Sequence, residues 1–355
     1  PTVSSLVDEL IVNKYLIDCG TVASQQMGRR PNELRVNGTE NLVAVISWRR
    51  ARLDIALITA DNKIAFRDQI PLTEEEDKVD KITSTFFNIM KPKVGDRRIM
   101  GLCIIIPGII DAENKRILST VIGVGYSDPV VQRFEEAFHD YPFCLLNDTA
   151  CFAYAEYVFA NITEPNFAYI NVSKGVGACL FANGKMLRGA GSNATQFGHF
   201  SVDRNGPLCA CGNHGCVERV VGENALTERA EACGIDLTRF AGRKPLYCDI
   251  GAMAEDGDVH AKELIKDLAV DLSFAISNLI TLFNPSLVVI GGMGVNLGPF
   301  FLSNIRDEVQ NSGFKEFVSN TWIQYSTLGL DSELGGAARY YIDHYYDFFE
   351  QMQGG

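Results

Sequence analysis

The first residues place apolar and polar side chains with the period of a helix. Apolar residues recur at three- and four-residue spacing, and Pro1 followed by Thr2 is a favourable helix entry, so a helix is predicted here. Two short extended stretches follow, at residues 15–18 and 33–36, with a polar loop between them. This order is typical of the back half of a winged helix-turn-helix, whose front half is expected ahead of residue 1. The helical apolar positions are Val3, Leu6, Val7, Leu10 and Ile11.

Buried-type apolar runs alternate with helical stretches from residue 41 onward. Clusters of strands followed by helices occur twice, first from residue 41 and again from residue 166, which predicts an α/β fold with two similar lobes. Residues 259–283 carry an apolar stripe at helical spacing, and Pro285 ends this long helix. The predicted parts are therefore a partial winged helix-turn-helix head at 1–38, a first lobe at 39–146 plus 334–355, and a second lobe at 147–333.

Composition narrows the class of protein. No apolar run approaches the roughly 20 residues that span a bilayer, and no secretory leader pattern opens the chain. The ten cysteines lack the spacing of a disulfide framework, so we expect a cytoplasmic protein with no membrane partner. A net charge of −12 argues against nucleic acid at first sight. Residues 1–38, however, hold four basic and four acidic residues, so a neutral head on an acidic body remains compatible with DNA binding.

The most specific motif is the loop GHFSVDRNGPLCACGNHGCVE at residues 198–218. The four candidate ligands in this loop are His199, Cys209, Cys211 and Cys216, which span eighteen residues. This is the donor set of a closed structural Zn²⁺ site, and the glycines between the donors permit a tight loop. The C-x-C spacing is shorter than the usual C-x2-C, so three unrelated free thiols are the alternative interpretation.

Two further groups of polar residues each have a functional and a purely structural interpretation. Asn147 and Asp148 end a buried strand, where an Asn-Asp pair either contacts a ligand or caps the next helix. In the head, small polar residues on the first helix and paired arginines in the loop suit a DNA groove. An ordinary amphipathic helix and an exposed loop are the alternative. The candidate DNA-binding residues are Thr2, Ser4, Ser5, Arg29 and Arg30.

Residues 41–350 resemble the ROK family of repressors, uncharacterised reading frames and sugar kinases. The resemblance is carried in family order by five segments. The N-terminal helix and the GRRPNELRVN segment further resemble the repressor branch, of the N-acetylglucosamine and xylose type, and are lacking in the kinases. The five segments are residues 107–109, 146–149, 175–191, 198–218 and 284–292.

The resemblance implies an actin-like (ribonuclease H-like) two-lobed fold with a sugar site between the lobes. The residues that match sugar-contacting positions of the family are Asn147, Asp148, Gln196, His199 and Glu218. Without the resemblance, the alternative interpretation of Glu218 is an ordinary surface residue. Gln196 stands where the family usually has glutamate, which fits a different hydroxyl pattern or a lost sugar site.

One departure bears on catalysis. Where the kinases carry an Asp-x-Gly-Gly-Thr turn that cradles ATP phosphates, this chain has Ser47-Trp48-Arg49-Arg50-Ala51, whose side chains are expected to fill the phosphate space. We therefore expect a sugar-responsive transcriptional repressor that lacks kinase activity. Its expected partners are operator DNA and a sugar or sugar-phosphate effector, and its expected assembly is a homodimer or homotetramer. The alternative is an ATP-dependent sugar kinase with Asp148 as its general base.

Overall fold

The computed structural model describes residues 2–21, 32–120, 122, 128–190 and 194–346. The chain divides into two compact units, one formed by Pro1–Ala155 with Asp331–Gly355 and the other by Glu156–Leu330. The second unit thus starts at residue 156, whereas 147 was predicted. The reason is that the first two turns of the helix after residue 147 pack on the C-terminal helix of the first unit.

The strands and helices are numbered in chain order. The strands are β1 Leu16–Thr21, β2 Asn32–Val36, β3 Asn41–Trp48, β4 Arg52–Thr59, β5 Ile64–Pro71, β6 Arg98–Ile106, β7 Gly108–Asp111, β8 Arg116–Thr120, β9 Phe143–Asn147, β10 Phe167–Val172, β11 Val176–Ala182, β12 Lys185–Met186, β13 Leu287–Gly291 and β14 Trp322–Tyr325. The helices are α1 Val3–Val12, α2 Lys78–Thr85, α3 Lys91–Val94, α4 Val130–Ala137, α5 Asp148–Phe159, α6 Val217–Val221, α7 Glu223–Ala232, α8 Tyr247–Glu255, α9 Val259–Phe283, α10 Gly298–Gln310, α11 Lys315–Val318 and α12 Ser332–His344.

The N-terminal segment forms the predicted helix and two strands. Thr2 caps α1 by accepting a hydrogen bond from the backbone N–H of Ser5, and β1 pairs with β2 in antiparallel register from Leu16 and Val36. The apolar stripe of α1 is only half-buried, since none of its described side chains is fully covered. Residues 22–31 of the predicted polar loop, which include Arg29 and Arg30, lie outside the described residues.

Tyr15 joins this segment to the rest of the first unit. Its side chain is buried, with its hydroxyl 2.9 Å from that of Tyr346, and Arg98 lies over its ring at 4.9 Å. The backbone carbonyl of Tyr15 also accepts a hydrogen bond from the N–H of Asn37. The head is therefore fixed to the body through one aromatic side chain and its neighbours in sequence.

Both units are built on a five-stranded sheet of the same order. In the first the order is β5-β4-β3-β6-β9, and in the second it is β12-β11-β10-β13-β14. In each sheet the first three strands along the chain are antiparallel, and the last two run parallel to the first. This is the strand order of a ribonuclease H-like fold, and it confirms the predicted α/β class and the internal repeat.

The long helix near the C-terminal part of the chain matches the prediction. Helix α9 spans the predicted residues 259–283 and ends at Asn284, which adopts the left-handed conformation with φ of 49° before Pro285. Helix α2 begins at Lys78, because the Asp77 side chain caps it there by accepting from the N–H of Asp80. The hairpin of β7 and β8 was not predicted. None of the helices in the described ranges has the length and apolar character required to cross a bilayer.

Helix α12 packs against α5 and the first sheet at very short range. A Cβ atom built on Gly336 would lie 2.0 Å from the carbonyl oxygen of Cys151 and 3.0 Å from Ala155. On the same helix, the Tyr341 hydroxyl donates to the carbonyl of Met100 on β6 at 3.0 Å. The approach is backbone to backbone, so a side chain at position 336 would have to separate the two helices.

We predict that Gly336→Ala destabilises the first unit, although alanine normally favours a helix by about 1 kcal/mol over glycine. Overpacking of this kind costs about 1–3 kcal/mol. The two tryptophans lie in different units, so a Trp322→Phe background leaves Trp48 fluorescence as a reporter of the first unit during urea unfolding. The matched control is Gly329→Ala, where nothing lies within 4 Å of the added Cβ. Equal midpoints for the two variants would contradict the packing argument.

Candidate functional site

The structure brings together the four predicted metal ligands. One donor atom from each of His199, Cys209, Cys211 and Cys216 lies within 4.8 Å of the other three. The Nδ1 atom of His199 is 3.6 Å from the Sγ atom of Cys209, and the Sγ atoms of Cys211 and Cys216 are 3.6 Å apart. The three thiols therefore lie together with the imidazole of His199, as the predicted metal site requires.

Backbone contacts, more than side chains, bend the loop around these donors. The N–H of Cys209 donates to the carbonyl of Asn213 at 2.8 Å, and the N–H of Val202 donates to the carbonyl of Gly215 at 2.9 Å. Gly215 has φ of 59°, and a Cβ atom there would meet the Asp203 carbonyl oxygen at 1.9 Å. Glycine is thus required one residue before the last cysteine.

The donor set fits a tetrahedral thiophilic cation. With metal–sulfur bonds of about 2.3 Å and metal–nitrogen bonds of about 2.0 Å, a tetrahedron has S–S edges of about 3.8 Å and N–S edges of about 3.5 Å. The two separations of 3.6 Å given above are close to these values. Hydrogen bonding from the backbone at Asn213 lowers the pKa of the Cys211 thiol, whereas burial raises the pKa of Cys216 to about 12. The group can hold a metal ion with all four positions filled by protein.

The loop leads directly into a residue of the predicted sugar set. Cys216 is the N-terminal cap of α6, whose first turn carries Glu218. Glu218 is half-buried, and a Cβ atom on Gly175 would lie only 2.4 Å from its Oε2 atom. The absence of a side chain at position 175 therefore lets this carboxylate lie against the β10–β11 turn. Gln196 is exposed just before the single helical turn that carries His199.

The other two predicted sugar residues belong to the first unit. Asn147 uses its side chain structurally, since its Oδ1 atom accepts from the N–H of Ala150 at 3.0 Å and its amide donates to the carbonyl of Gly108. It therefore caps α5, in agreement with the simple structural interpretation, while a second amide hydrogen and an oxygen lone pair stay available to a ligand. Asp148 follows as the first residue of α5.

Arg49 is the central charge near Asp148. It lies in the β3–β4 turn, forms an ion pair with Glu333 at the start of α12, and has its Nε atom 3.5 Å from Asp54. Burial raises the pKa of Asp148, and the positive charge of Arg49 opposes that rise. The guanidinium of Arg49 thus contacts two carboxylates, one from β4 and one from α12.

The β3–β4 turn departs from what its sequence suggested. Trp48 was expected to occupy phosphate space, but it is 2% exposed and packs in the apolar core of the first unit beside Leu53 and Ile46. Side chains on a strand alternate between faces, so Trp48 and Ile46 share the core face while Ser47 points to the other. Arg49 is therefore the residue of the turn that supplies charge on the polar side.

Two acidic residues beside Arg49, Glu333 and Asp54, were not predicted from the sequence. Both are buried, at 1% and 4% exposure. Asp54 is opposite Ser47 in the register of β3 and β4, so an acidic residue inside an otherwise apolar strand was an available signal. Glu333 gave no comparable signal, because its partner lies 284 residues earlier in the chain.

The head residues are only partly covered by the structure. Thr2, Ser4 and Ser5 are exposed at the start of α1. Two of the three hydroxyls already act within the helix, since Ser5 Oγ donates to the Thr2 carbonyl and Thr2 Oγ1 caps the Ser5 N–H. Ser4 therefore presents the hydroxyl that the described contacts of α1 leave to solvent.

Comparison with known proteins decides the family. The ROK family pattern matches residues 47–343. The chain belongs to the ROK family. A xylose repressor of Bacillus spizizenii is 26% identical over 354 residues, which cover 98% of this chain and 88% of the relative. The transcriptional dual regulator NagC of Escherichia coli is 26% identical over 345 residues, covering 92% and 83%.

Solved structures show the same fold in regulators and kinases of the family. A ROK family transcriptional regulator described as a homolog of the E. coli MLC protein superposes with a TM-score of 0.79 at 23% identity, covering 95% of this chain and 86% of that one. The ROK hexokinase from Thermus thermophilus superposes with a TM-score of 0.67 at 22% identity, covering 88% of this chain and all of that one. The two units are therefore the actin-like α/β scaffold of this family.

The buried carboxyl of Glu333 generates a pH prediction. Burial raises its pKa from 4.5 to about 7, with the Asp148 charge acting in the same direction and Arg49 opposing. A raised folded-state pKa means that the stability linked to the protonated group is complete below pH 4.5 and is lost as the pH rises through about 7. Glu333→Gln cannot ionise and therefore does not lose this stability. The difference in free energy of unfolding between Glu333→Gln and wild type should therefore rise, in favour of the variant, by about 1–3 kcal/mol from pH 5 to pH 8.

Urea unfolding followed by Trp48 fluorescence at the two pH values measures this difference. Asp331→Asn removes an exposed carboxylate two residues away and serves as the matched control. A difference between Glu333→Gln and wild type that stays constant from pH 5 to pH 8 would show that Glu333 keeps its charge throughout.

Proposed function

We propose that this protein is a sugar-responsive transcriptional regulator, acting as a repressor, without phosphoryl-transfer activity. One observation carries the proposal. Proteins named as repressors align with 98% of this chain, so the alignment includes the N-terminal helix and strands. The hexokinase, by contrast, is matched over its full length by 88% of this chain. The segment ahead of the family match at residue 47 is thus an addition shared with regulators.

In this proposal the N-terminal segment is the helix, wing and linker of a winged helix-turn-helix. Helix α1 enters the major groove of operator DNA with Thr2, Ser4 and Ser5 near the bases, and Arg29 and Arg30 contact phosphates or a narrow minor groove. Support comes from the exposure of α1 and from the antiparallel β1–β2 pair that follows it. A homodimer or homotetramer would match the two-fold symmetry of an operator.

The proposed effector is a sugar or a sugar derivative. Its hydroxyls would be held by Asn147 and Asp148 of the first unit and by Gln196, His199 and Glu218 of the second. The amide of Asn147 keeps one hydrogen for such a contact, and Glu218 is fixed by the loop that carries the metal donors. Xylose and N-acetylglucosamine, which occur in the names of relatives, are the first sugars to test.

The proposed metal is structural Zn²⁺, held by His199, Cys209, Cys211 and Cys216. Its chemistry would be to order the loop, since no coordination position is left for a substrate. Loss of the kinase reaction is supported by the β3–β4 turn, where Arg49 and Arg50 stand in place of the two glycines that let backbone N–H groups approach phosphates. A sugar kinase with Asp148 as general base is the second candidate, and a coupled ADP-release assay with hexoses, pentoses and amino sugars would detect it.

The central test is whether a sugar changes DNA affinity. DNA ligands are selected from a random library with the full chain, and binding is measured by fluorescence anisotropy with and without each sugar. We expect one class of sugar to change the dissociation constant by about 5–150-fold, the range of typical allosteric coupling. Asp148→Asn should keep the DNA affinity and lose the response, because its amide cannot replace the carboxylate as a double acceptor.

Asp140→Asn, an exposed carboxylate of the same unit, is the matched control and should respond as wild type does. If no sugar in a broad panel alters the affinity of the wild-type protein, the regulator proposal is wrong. Steady ADP release that Asp148→Asn abolishes would instead establish the kinase.

The zinc proposal has its own test. Cys211→Ser should lower the bound zinc, measured by elemental analysis after dialysis, from one equivalent per chain to far less. Metal binding by such sites is coupled to folding, so the thermal midpoint of the second unit should fall. Cys248→Ser removes an exposed cysteine of the same unit outside the loop and should leave both quantities unchanged. Less than stoichiometric zinc in the wild-type protein would refute the site.

A further inference from the structure

The N-terminal segment is joined to the first unit at two consecutive residues. Every hydrogen bond and ion pair that the described residues 2–21 and 32–36 form with the rest of the unit goes through Lys14 or Tyr15. The Lys14 carbonyl accepts a hydrogen bond from the Asn41 side chain at 3.2 Å. Tyr15 is 3% exposed, so its side chain is enclosed by its neighbours. These two residues therefore supply the polar contacts that orient the segment.

The contacts of Tyr15 include the end of the last helix of the chain. The hydroxyls of Tyr15 and Tyr346 are 2.9 Å apart, and the centroids of their rings are 6.4 Å apart. Tyr346 follows α12 by two residues, and its N–H donates to the carbonyl of Tyr341 within that helix at 3.1 Å. A displacement of the C-terminal end of α12 would therefore displace a residue that holds Tyr15.

The other end of α12 packs on the helix that carries a proposed effector ligand. Glu333, in the first turn of α12, forms the buried ion pair with Arg49. One turn later, Gly336 lies against the carbonyl oxygen of Cys151, which is three residues after Asp148 in α5. A Cβ atom at Gly336 would meet that oxygen at 2.0 Å. A movement of the first turn of α5 therefore acts directly on α12.

Helix α12 has little freedom to absorb such a movement along its length. The contact at Gly336 is backbone to backbone, so no side chain there can rearrange to take up a shift. The buried Tyr341 hydroxyl donates to the carbonyl of Met100 on β6 at 3.0 Å. A helix of 13 residues is about 20 Å long, and its backbone hydrogen bonds hold its two ends in a fixed relation. Packed elements of this kind move as units between discrete arrangements.

We propose that α12 couples effector binding to DNA binding. In this proposal a sugar at Asn147 and Asp148 shifts α5 against α12, and the shift reaches the N-terminal segment through the contact of Tyr346 with Tyr15. The inference rests on the proposed function and uses contacts within the first unit alone. A sugar that binds one position of α12 more tightly shifts the population of segment orientations, and DNA affinity changes by the same factor.

The first test needs neither sugar nor DNA. Gly336→Ala forces α12 away from α5, and hydrogen exchange is measured at the amide of Asn37, which donates to the Tyr15 carbonyl. Its exchange rate should rise about threefold or more relative to amides of the core strand β3, because linked sites share their openings. In a Tyr346→Phe background, Gly336→Ala should cause no further rise. Gly329→Ala is the matched control and should exchange as wild type does.

The second test measures the response to sugar. The coupling factor is the ratio of the DNA dissociation constants with and without the responsive sugar. In Tyr346→Phe it should fall towards one, by about fivefold, as expected for the loss of one hydrogen bond. The dissociation constant of the sugar without DNA should change by about twofold or less, since Tyr346 lies at the far end of α12. Tyr141→Phe removes a hydroxyl elsewhere in the same unit and should keep the wild-type coupling factor.

Two results overturn the role of α12. In one, Gly336→Ala exchanges at Asn37 as Gly329→Ala does, or its effect adds independently to that of Tyr346→Phe. In the other, Tyr346→Phe responds to sugar as fully as wild type, a result that is decisive even when Gly336→Ala does not fold. Failure of the proposed function is distinct, because the wild-type protein would then show no sugar response while the exchange experiment still reports whether α12 is linked to Tyr15.

Discussion

The ion pair between Arg49 and Glu333 is the contact that ties the two ends of the first unit together. It joins the turn after β3 to the first turn of α12, across 284 residues of sequence. From this point α12 passes along the sheet with Gly336 against the Cys151 carbonyl, and the chain then reaches Tyr346 beside Tyr15. Glu333 lies in the first turn of α12, so this contact joins the start of the helix to the β3–β4 turn. Helix α12 and the residues just after it therefore contact Arg49, helix α5 and the N-terminal segment.

In the second unit the organising constraint is the convergence of the four metal donors. Four soft donors converge in a loop whose glycine-containing turns permit the approach, and the loop then delivers Glu218 on the first turn of α6. Glu218, a carboxylate proposed to meet a sugar, thus follows the metal donor Cys216 by two residues. The proposed effector site needs fixed ligand contacts whether or not a reaction follows.

Local signals were sufficient for much of the architecture. The apolar runs located β3, β6, β9, β10 and β13, and the stripe of α9 with Pro285 gave its bounds. The donor spacing in residues 198–218 was enough to locate the metal group, because four soft ligands so close in sequence have few other uses. The error concerned the surroundings assigned to one side chain. Trp48 was assigned to a polar space from its neighbours in sequence, whereas strand alternation places it in the core.

The sequence by itself determined the element order, the repeated sheet, the metal donors and the family, since each depends on residues close together in the chain or on a pattern repeated along it. Only the tertiary structure decided that Glu333 and Asp54 surround Arg49, that Tyr15 fixes the N-terminal segment, and that Asn147 caps α5. Pairing of charges across hundreds of residues leaves no local trace, because its energy arises from burial and proximity that exist only after the chain has folded.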